Sequence, residues 1–244
     1  LHRRRHSFPT RRSSDLDQAK GRVPVLAGVG SNNTIEAIRL TRFAKKAGAD
    51  GALLITPYYN KPTQEGLFQH YKAIAESVDM PLVPYNVPSR TGCNLLPETL
   101  ARLAQAFPNI VGVKEATGDM AQGSKTLSSC PQGFSVLSGD DFTALPLMAL
   151  GGHGIISVTS NLVPGRVAAM VNAFRKGDVA GAARIHHELF PLHEAMFFES
   201  NPIPAKTALA LMGRMEAEIR LPLCPMAEGA KQKLIEVLRQ QNLI

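Results

Sequence analysis

Six short apolar runs constrain what this chain of 244 residues can become. They are "VPVLAGVG" from Val23, "GALLITP" from Gly51, "PLVPYNV" from Pro81, "IVGVKE" from Ile110, "FSVLSG" from Phe134 and "GIISVT" from Gly154. Stretches with helical spacing separate them. Such alternation marks βα units, because a strand that is apolar on both faces must be covered on both, and the connecting helices supply the cover. Helix starts are signalled by Asn32, Asn33 or Thr34 ahead of "IEAIRLTRFAKKAG", and by Thr63 to Glu65 ahead of "GLFQHYKAIAESV". In the first of these helices Ile35, Ile38, Leu40 and Phe43 are expected on the inner face, with Arg39, Arg42 and Lys46 outward. Past Thr159 the strand pattern stops and only helical stretches follow, jointed at Pro202, Pro204, Pro222 and Pro225. The reading is an α/β segment over residues 17–160 and a helical extension over 161–244.

Six strands raise a problem of closure. A (β/α)8 barrel needs eight, and an incomplete one leaves two sheet edges unpaired. An open doubly wound sheet accommodates six, but its phosphate-binding glycine pattern fails here, since "GVGSNN" places Asn33 where the third glycine belongs.

The net charge of +7 invites a nucleic-acid reading, yet its placement argues against one. Residues 1–16, "LHRRRHSFPTRRSSDL", hold five arginines against Asp15 and so account for more than half of the surplus. That segment lacks apolar periodicity. It is read as a foreign or disordered basic stretch outside the fold, with an organelle transit peptide or an RNA-binding arm as rivals. No apolar run reaches the roughly 18 residues of a membrane span, so the expectation is a soluble cytoplasmic protein without membrane or nucleic-acid partners. Cys93, Cys130 and Cys224 are too few and scattered for a disulfide framework. "HHELFPLHE", from His186, lacks metal-site spacing; Pro191 is expected to interrupt its helix, and the segment to be solvated or interface-lining, and metal-free. "GGHG", from Gly151, is read as a tight turn into the next strand.

The chemistry concentrates at strand ends. In "NIVGVKEATGD" a buried strand runs into Lys114, and in a barrel the carboxyl ends of the strands are where reactions occur. Tyr85 and Asn86, Tyr58 and Tyr59, Ser138 and Asp140, and Ser157 end other strands. A lysine at the end of an apolar strand suits attack of a neutral amine on a carbonyl, giving a Schiff base. Lysine in water, with a pKa of about 10.4, is almost wholly protonated at neutral pH, and desolvation is the usual means of exposing the neutral form. A nearby tyrosine would then move protons to and from the carbinolamine. The bland alternative is a lysine that snorkels to solvent or pairs with Glu115.

Several longer segments, "PYYNKPTQEGLFQHYKAIAE", "YNVPSRTGCNLLPETLARLA", "GVKEATGDM", "LSGDD", "GGHGIISVTSN" and "NPIPAK", resemble the dihydrodipicolinate synthase family of pyruvate-dependent class I aldolases and lyases. The resemblance runs from about Gly21 to the C-terminus. It implies a (β/α)8 barrel, no cofactor beyond a covalent pyruvate Schiff base on Lys114, a proton relay at Tyr85, and Tyr59 crossing a tight dimer interface into a neighbour's site. It further implies that Arg90 receives the carboxylate of aspartate semialdehyde, that the main chain at Gly139 and Ile156 lines the pyruvate pocket, and that the assembly is a dimer of tight dimers. Asn32, Glu36 and Tyr58 match part of an allosteric lysine site, with a helix cap, a surface charge and interface packing as their plain alternatives. Arg90 favours a small carboxylated aldehyde over the polyols taken by sialic-acid and ketodeoxygluconate lyases.

One departure stands against these matches. The family's first two βα units, with a "GTTGES"-like loop that supplies carboxylate donors, have no counterpart ahead of "RVPVLAG". The expectation is therefore a barrel lacking about two βα units, with little turnover, or at the extreme a non-catalytic remnant acting as an assembly partner.

Overall fold

The computed structural model describes residues 16–244, so the basic segment singled out above lies outside the described residues except for Leu16. The chain divides into two compact units: one runs through Gly139 and takes in Leu150–His153, the other comprises Asp140–Ala149 and Gly154–Ile244. The division does not fall at residue 160, because the segment after the fifth strand packs with the helices that follow it.

In the first unit, strands β1 (Leu26–Gly28), β2 (Gly51–Ile55), β3 (Leu82–Asn86), β4 (Gly112–Glu115) and β5 (Ser135–Ser138) form a parallel sheet in chain order. Helices α1 (Thr34–Lys46), α2 (Gln64–Ser77), α3 (Pro88–Thr91), α4 (Pro97–Ala106) and α5 (Met120–Ser129) lie in the connections between them. This is the βα order of a partial (β/α) barrel. Caps fix where the helices start: Asn33 accepts from the Glu36 amide, Thr63 from Gly66, and Asp119 from Ala121 and Gln122. Each such cap contributes about 1 kcal/mol.

The inner face of α1 differs from the sequence expectation. Its buried residues are Ala37, Thr41 and Ala44, while Ile35 is 78% exposed. Small side chains at i, i+4 and i+7 let the helix approach its neighbours closely, and the bulkier Ile38, Leu40 and Phe43 are left at the margins of that stripe. Arg39, Arg42 and Lys46 do point outward. The core proper is built by Leu54, Leu67, Tyr71, Ile74, Leu82, Leu100, Leu103, Val113 and Val136, all essentially without solvent contact. The Tyr71 hydroxyl is satisfied by donating to the Leu54 carbonyl at 3.1 Å.

In the second unit the sixth apolar run yields only a two-residue strand, β6 (Gly154–Ile155). It ends early because the backbone amides of Val158 and Thr159 are captured by the Asp141 carboxylate, which turns the chain into a 3-10 segment at Thr159–Asn161. Around it stand α6 (Ala144–Ala149), α7 (Pro164–Arg175), α8 (Val179–Ala195), α9 (Ile203–Leu211) and α10 (Glu228–Gln240). Their shared core includes Leu162, Leu189, Leu192, Met196, Ala208, Leu234 and Leu238. Two expectations for "HHELFPLHE" are overturned. Helix α8 runs straight through Pro191, and His186 and His193 are buried rather than solvated. The helix has an apolar face at those positions, and Leu189 and Leu192 on the same turns draw the imidazoles inward. The turn at "GGHG" is present: the His153 amide donates to the Val136 carbonyl at 2.8 Å, and Gly151 takes φ +109°, where a side chain would be strained.

Candidate active site

Strand pairing decides which side chains meet. In the β3–β4 ladder Tyr85 lies opposite Lys114, and Asn86 opposite Glu115. Alternation along each strand then sends the Tyr85–Lys114 pair to one face of the sheet and the Asn86–Glu115 pair to the other. On the first face the Lys114 ammonium nitrogen lies 3.9 Å from the centroid of the Tyr85 ring. Gly139, just past β5, makes room for the lysine. A Cβ there would come within 2.8 Å of Lys114 Cε and 2.7 Å of Ala116 Cβ. The Gly139 amide is anchored by donating to the Glu115 carbonyl at 2.7 Å.

Burial raises the pKa of the Tyr85 phenol above its ordinary value, with the Arg90 charge pulling the other way. The hydroxyl therefore remains protonated at neutral pH and can donate. Arg90 itself is exposed in the single-turn helix α3, which starts at Pro88 and is closed by Gly92 at φ +75°. Beside this turn, buried Thr56 donates its hydroxyl to Thr91 at 3.2 Å, and its amide donates to the Tyr85 carbonyl at 2.9 Å.

The opposite face is a buried polar network. The Glu115 carboxylate accepts from Asn86 Nδ2 at 3.1 Å, Gln122 Nε2 at 3.2 Å and the Thr117 amide at 2.8 Å. With its acceptors engaged there, Glu115 sits on the face away from Lys114, so the bland lysine–glutamate pair is not the arrangement found. Sequence reasoning marked Asn86 as a strand end but missed Glu115, Gln122 and Asn94 as one network. The available signal was polar residues placed on the helix-facing positions of otherwise apolar strands.

Tyr59 stands apart. It is 89% exposed with φ +76°, a conformation that non-glycine residues seldom adopt, and its amide donates to the Thr91 carbonyl at 3.2 Å. The three residues matched to a regulatory site also gather. Asn32 Nδ2 donates to the Tyr58 carbonyl at 3.1 Å, and Ser31, the neighbour of Asn32, donates its hydroxyl to Glu36 at 2.7 Å. Ile156 follows β6 in the second unit and is half-buried. A cavity of about 750 Å³ opens at the other, amino-terminal end of β3 and β4, lined by Val78, Met80, Pro81, Asn109 and Val111 among others. It holds none of the residues singled out above.

Three chemical properties follow from this arrangement. An amine lies over the ring of a protonated phenol, a guanidinium is near enough for its charge to act on that phenol, and a glycine leaves room for the lysine stem. That combination serves attack on a carbonyl with proton transfer.

Residues 14–241 match the model of the dihydrodipicolinate synthetase family. A 4-hydroxy-tetrahydrodipicolinate synthase of Nitratidesulfovibrio vulgaris is 62% identical over 229 residues, covering 94% of this chain and 78% of that protein. Among solved structures, dihydrodipicolinate synthase of Thermotoga maritima superposes with a TM-score of 0.95 at 45% identity, covering 97% of this chain and 81% of that one. The chloride-inhibited enzyme of Acinetobacter baumannii, complexed with pyruvate, gives 0.94 at 47% identity, covering 97% and 81%.

Proposed function

The chain belongs to the dihydrodipicolinate synthetase family, and from that premise we propose that it acts as a 4-hydroxy-tetrahydrodipicolinate synthase, a lyase that condenses pyruvate with aspartate semialdehyde through a Schiff base on Lys114. The observation that carries this reading is the 3.9 Å approach of the Lys114 amine to the Tyr85 ring across paired strand positions. Neutral Lys114 attacks the keto carbon of pyruvate. Tyr85 donates a proton to the carbinolamine oxygen, which leaves as water, and the resulting iminium returns a methyl proton to the Tyr85 phenolate to become an enamine. The enamine carbon then adds to the aldehyde carbon of aspartate semialdehyde. Arg90, exposed and close enough for its charge to act on Tyr85, receives the carboxylate of that second substrate.

Other features extend the same reading. An exposed aromatic on a left-handed backbone, Tyr59, fits a side chain that reaches into a second copy's site, which supports a homo-oligomer of tight dimers. Gly139, which leaves room for the Lys114 stem, serves the pyruvate pocket. Three unpaired cysteines fit a reducing cytoplasm, and among the described residues no helix is long and apolar enough to cross a membrane.

The test is borohydride reduction in the presence of pyruvate, followed by peptide mapping. An adduct on Lys114 that disappears in Lys114→Ala is the expected result. Absence of any adduct from the unaltered chain, or an adduct on a different lysine, would overturn the assignment. Adding aspartate semialdehyde then separates carbonyl capture from full turnover.

A further inference from the structure

The network behind the lysine has a polarity that the backbone itself dictates. Asn86 Oδ1 accepts from the Leu95 amide at 2.9 Å, so Asn86 Nδ2 is forced to face Glu115 and Asn94. Gln122 Nε2 faces the Leu95 carbonyl at 3.5 Å, and Gln122 Oε1 accepts from Asn94 Nδ2 at 2.8 Å, which turns the Gln122 amine toward Glu115 as well. The Thr117 amide is a fixed donor to Glu115 Oε1. Every group aimed at the Glu115 side chain is thus a donor. Only a carboxylate satisfies all of them, and Glu115 is 5% exposed, so water cannot substitute.

The residues tied by this network are the ones next to the reacting pair. Glu115 follows Lys114 on β4, and Asn86 follows Tyr85 on β3, at directly opposed ladder positions. Gln122 belongs to α5, and Thr117 to the turn leading into it. We propose that Glu115, held by Asn86 and Gln122, is a positioning residue that clamps the ends of β3 and β4 together and thereby fixes the Lys114–Tyr85 geometry needed for proton transfer. The clamp acts through the strands, from the side away from substrate. It rests on the reading of Lys114 and Tyr85 as amine and proton donor.

Glu115→Gln tests it, because the side chain keeps its shape but must turn an amine toward one of the donor sets in either orientation. The rate of borohydride-trapped adduct formation is measured in the unaltered chain, Glu115→Gln, Tyr85→Phe and the double variant, alongside the ultraviolet titration of the Tyr85 phenol in the absence of pyruvate. Trapping in Glu115→Gln should fall about tenfold to a hundredfold, the scale of a sub-ångström to 1 Å misplacement. In the Tyr85→Phe background the same change should cost much less, and the Tyr85 titration should move down toward that of an ordinary tyrosine as its pocket loosens. A folded Glu115→Gln with unaltered trapping and titration overturns the proposal, as does an effect that multiplies in full on Tyr85→Phe. If Glu115→Gln does not fold, Gln122→Met removes one donor and carries the same measurements with a smaller expected loss. If the unaltered chain traps no pyruvate while the Tyr85 titration still shifts with Glu115→Gln, the clamp stands and the assigned reaction falls.

Discussion

Two buried carboxylates, one in each compact unit, are treated very differently by their surroundings. Glu115 in the first unit is met by side-chain amides and one backbone amide, with every donor matched. Asp141 in the second is met by the Ser157 hydroxyl and by the amides of Val158 and Thr159, but beyond it the network ends in histidines. Thr159 Oγ1 lies 2.7 Å from His193 Nδ1, and both His193 Nε2 and His186 Nδ1 are buried without a partner among the described residues. The first arrangement is closed and stiff, fixing two strand ends beside the reacting lysine. The second is closed at the carboxylate and open at the imidazoles, so proton uptake has a place to act on it.

The largest effects break the first region. Lys114→Ala should abolish the pyruvate adduct while leaving circular dichroism unchanged, since its side chain is only half-buried. Tyr85→Phe keeps the ring under the amine and removes only the proton donor, so adduct formation should slow by about 10² to 10⁴, the usual worth of a positioned acid or base. A loss below tenfold would assign the proton to another group.

Much of this region was legible in the sequence. All six apolar runs contain strands, and the order of strands and helices follows from period and caps, because both are local properties. Lys114, Tyr85 and Gly139 could be placed at strand ends before any register was available. The Glu115–Asn86–Gln122 network could not be read, since it depends on which strand positions oppose each other and on amides brought from α5, a non-local matter. The same limit explains α1. Periodicity offered Ile35 and Phe43 as inner residues, whereas close approach selected the small stripe of Ala37, Thr41 and Ala44. In α8 the rule against helix-interior proline gave way to the burial of the surrounding apolar face.

Smaller effects compare how each region tolerates a change. Asp141→Asn keeps the shape but sets an amine against the Ser157, Val158 and Thr159 donors, so the loss should be about 1–3 kcal/mol in denaturant unfolding. Gly139→Ala introduces a Cβ within 2.8 Å of Lys114 Cε. Overpacking there should cost about 1–3 kcal/mol unless the lysine yields, in which case stability is kept and pyruvate trapping falls instead. Either result is informative about stiffness. A variant that retains both stability and trapping would show that Lys114 has a second route past the strand end.

The subtlest contrast lies in acid. Burial lowers the pKa of both His186 and His193 below the ordinary 6.5, with the Asp141 charge opposing that shift and neighbouring histidines adding to it. Because the folded imidazoles resist protonation that the unfolded chain accepts, their contribution to stability is intact above about pH 6.5 and is lost as the pH falls below it. His70 in the first unit behaves in the same sense, with its pKa lowered to about 4 by burial and its Nε2 unpartnered among the described residues. Its share should fade between pH 6.5 and about 4. Urea midpoints measured from pH 7.5 down to 5 should therefore decline, and His186→Phe, which suits the aromatic setting of Phe190 and His193, should flatten that decline. A slope unchanged in His186→Phe but flattened by His70→Phe would move the acid-sensitive element from the second unit to the first, and would remove the contrast drawn between the two carboxylate networks.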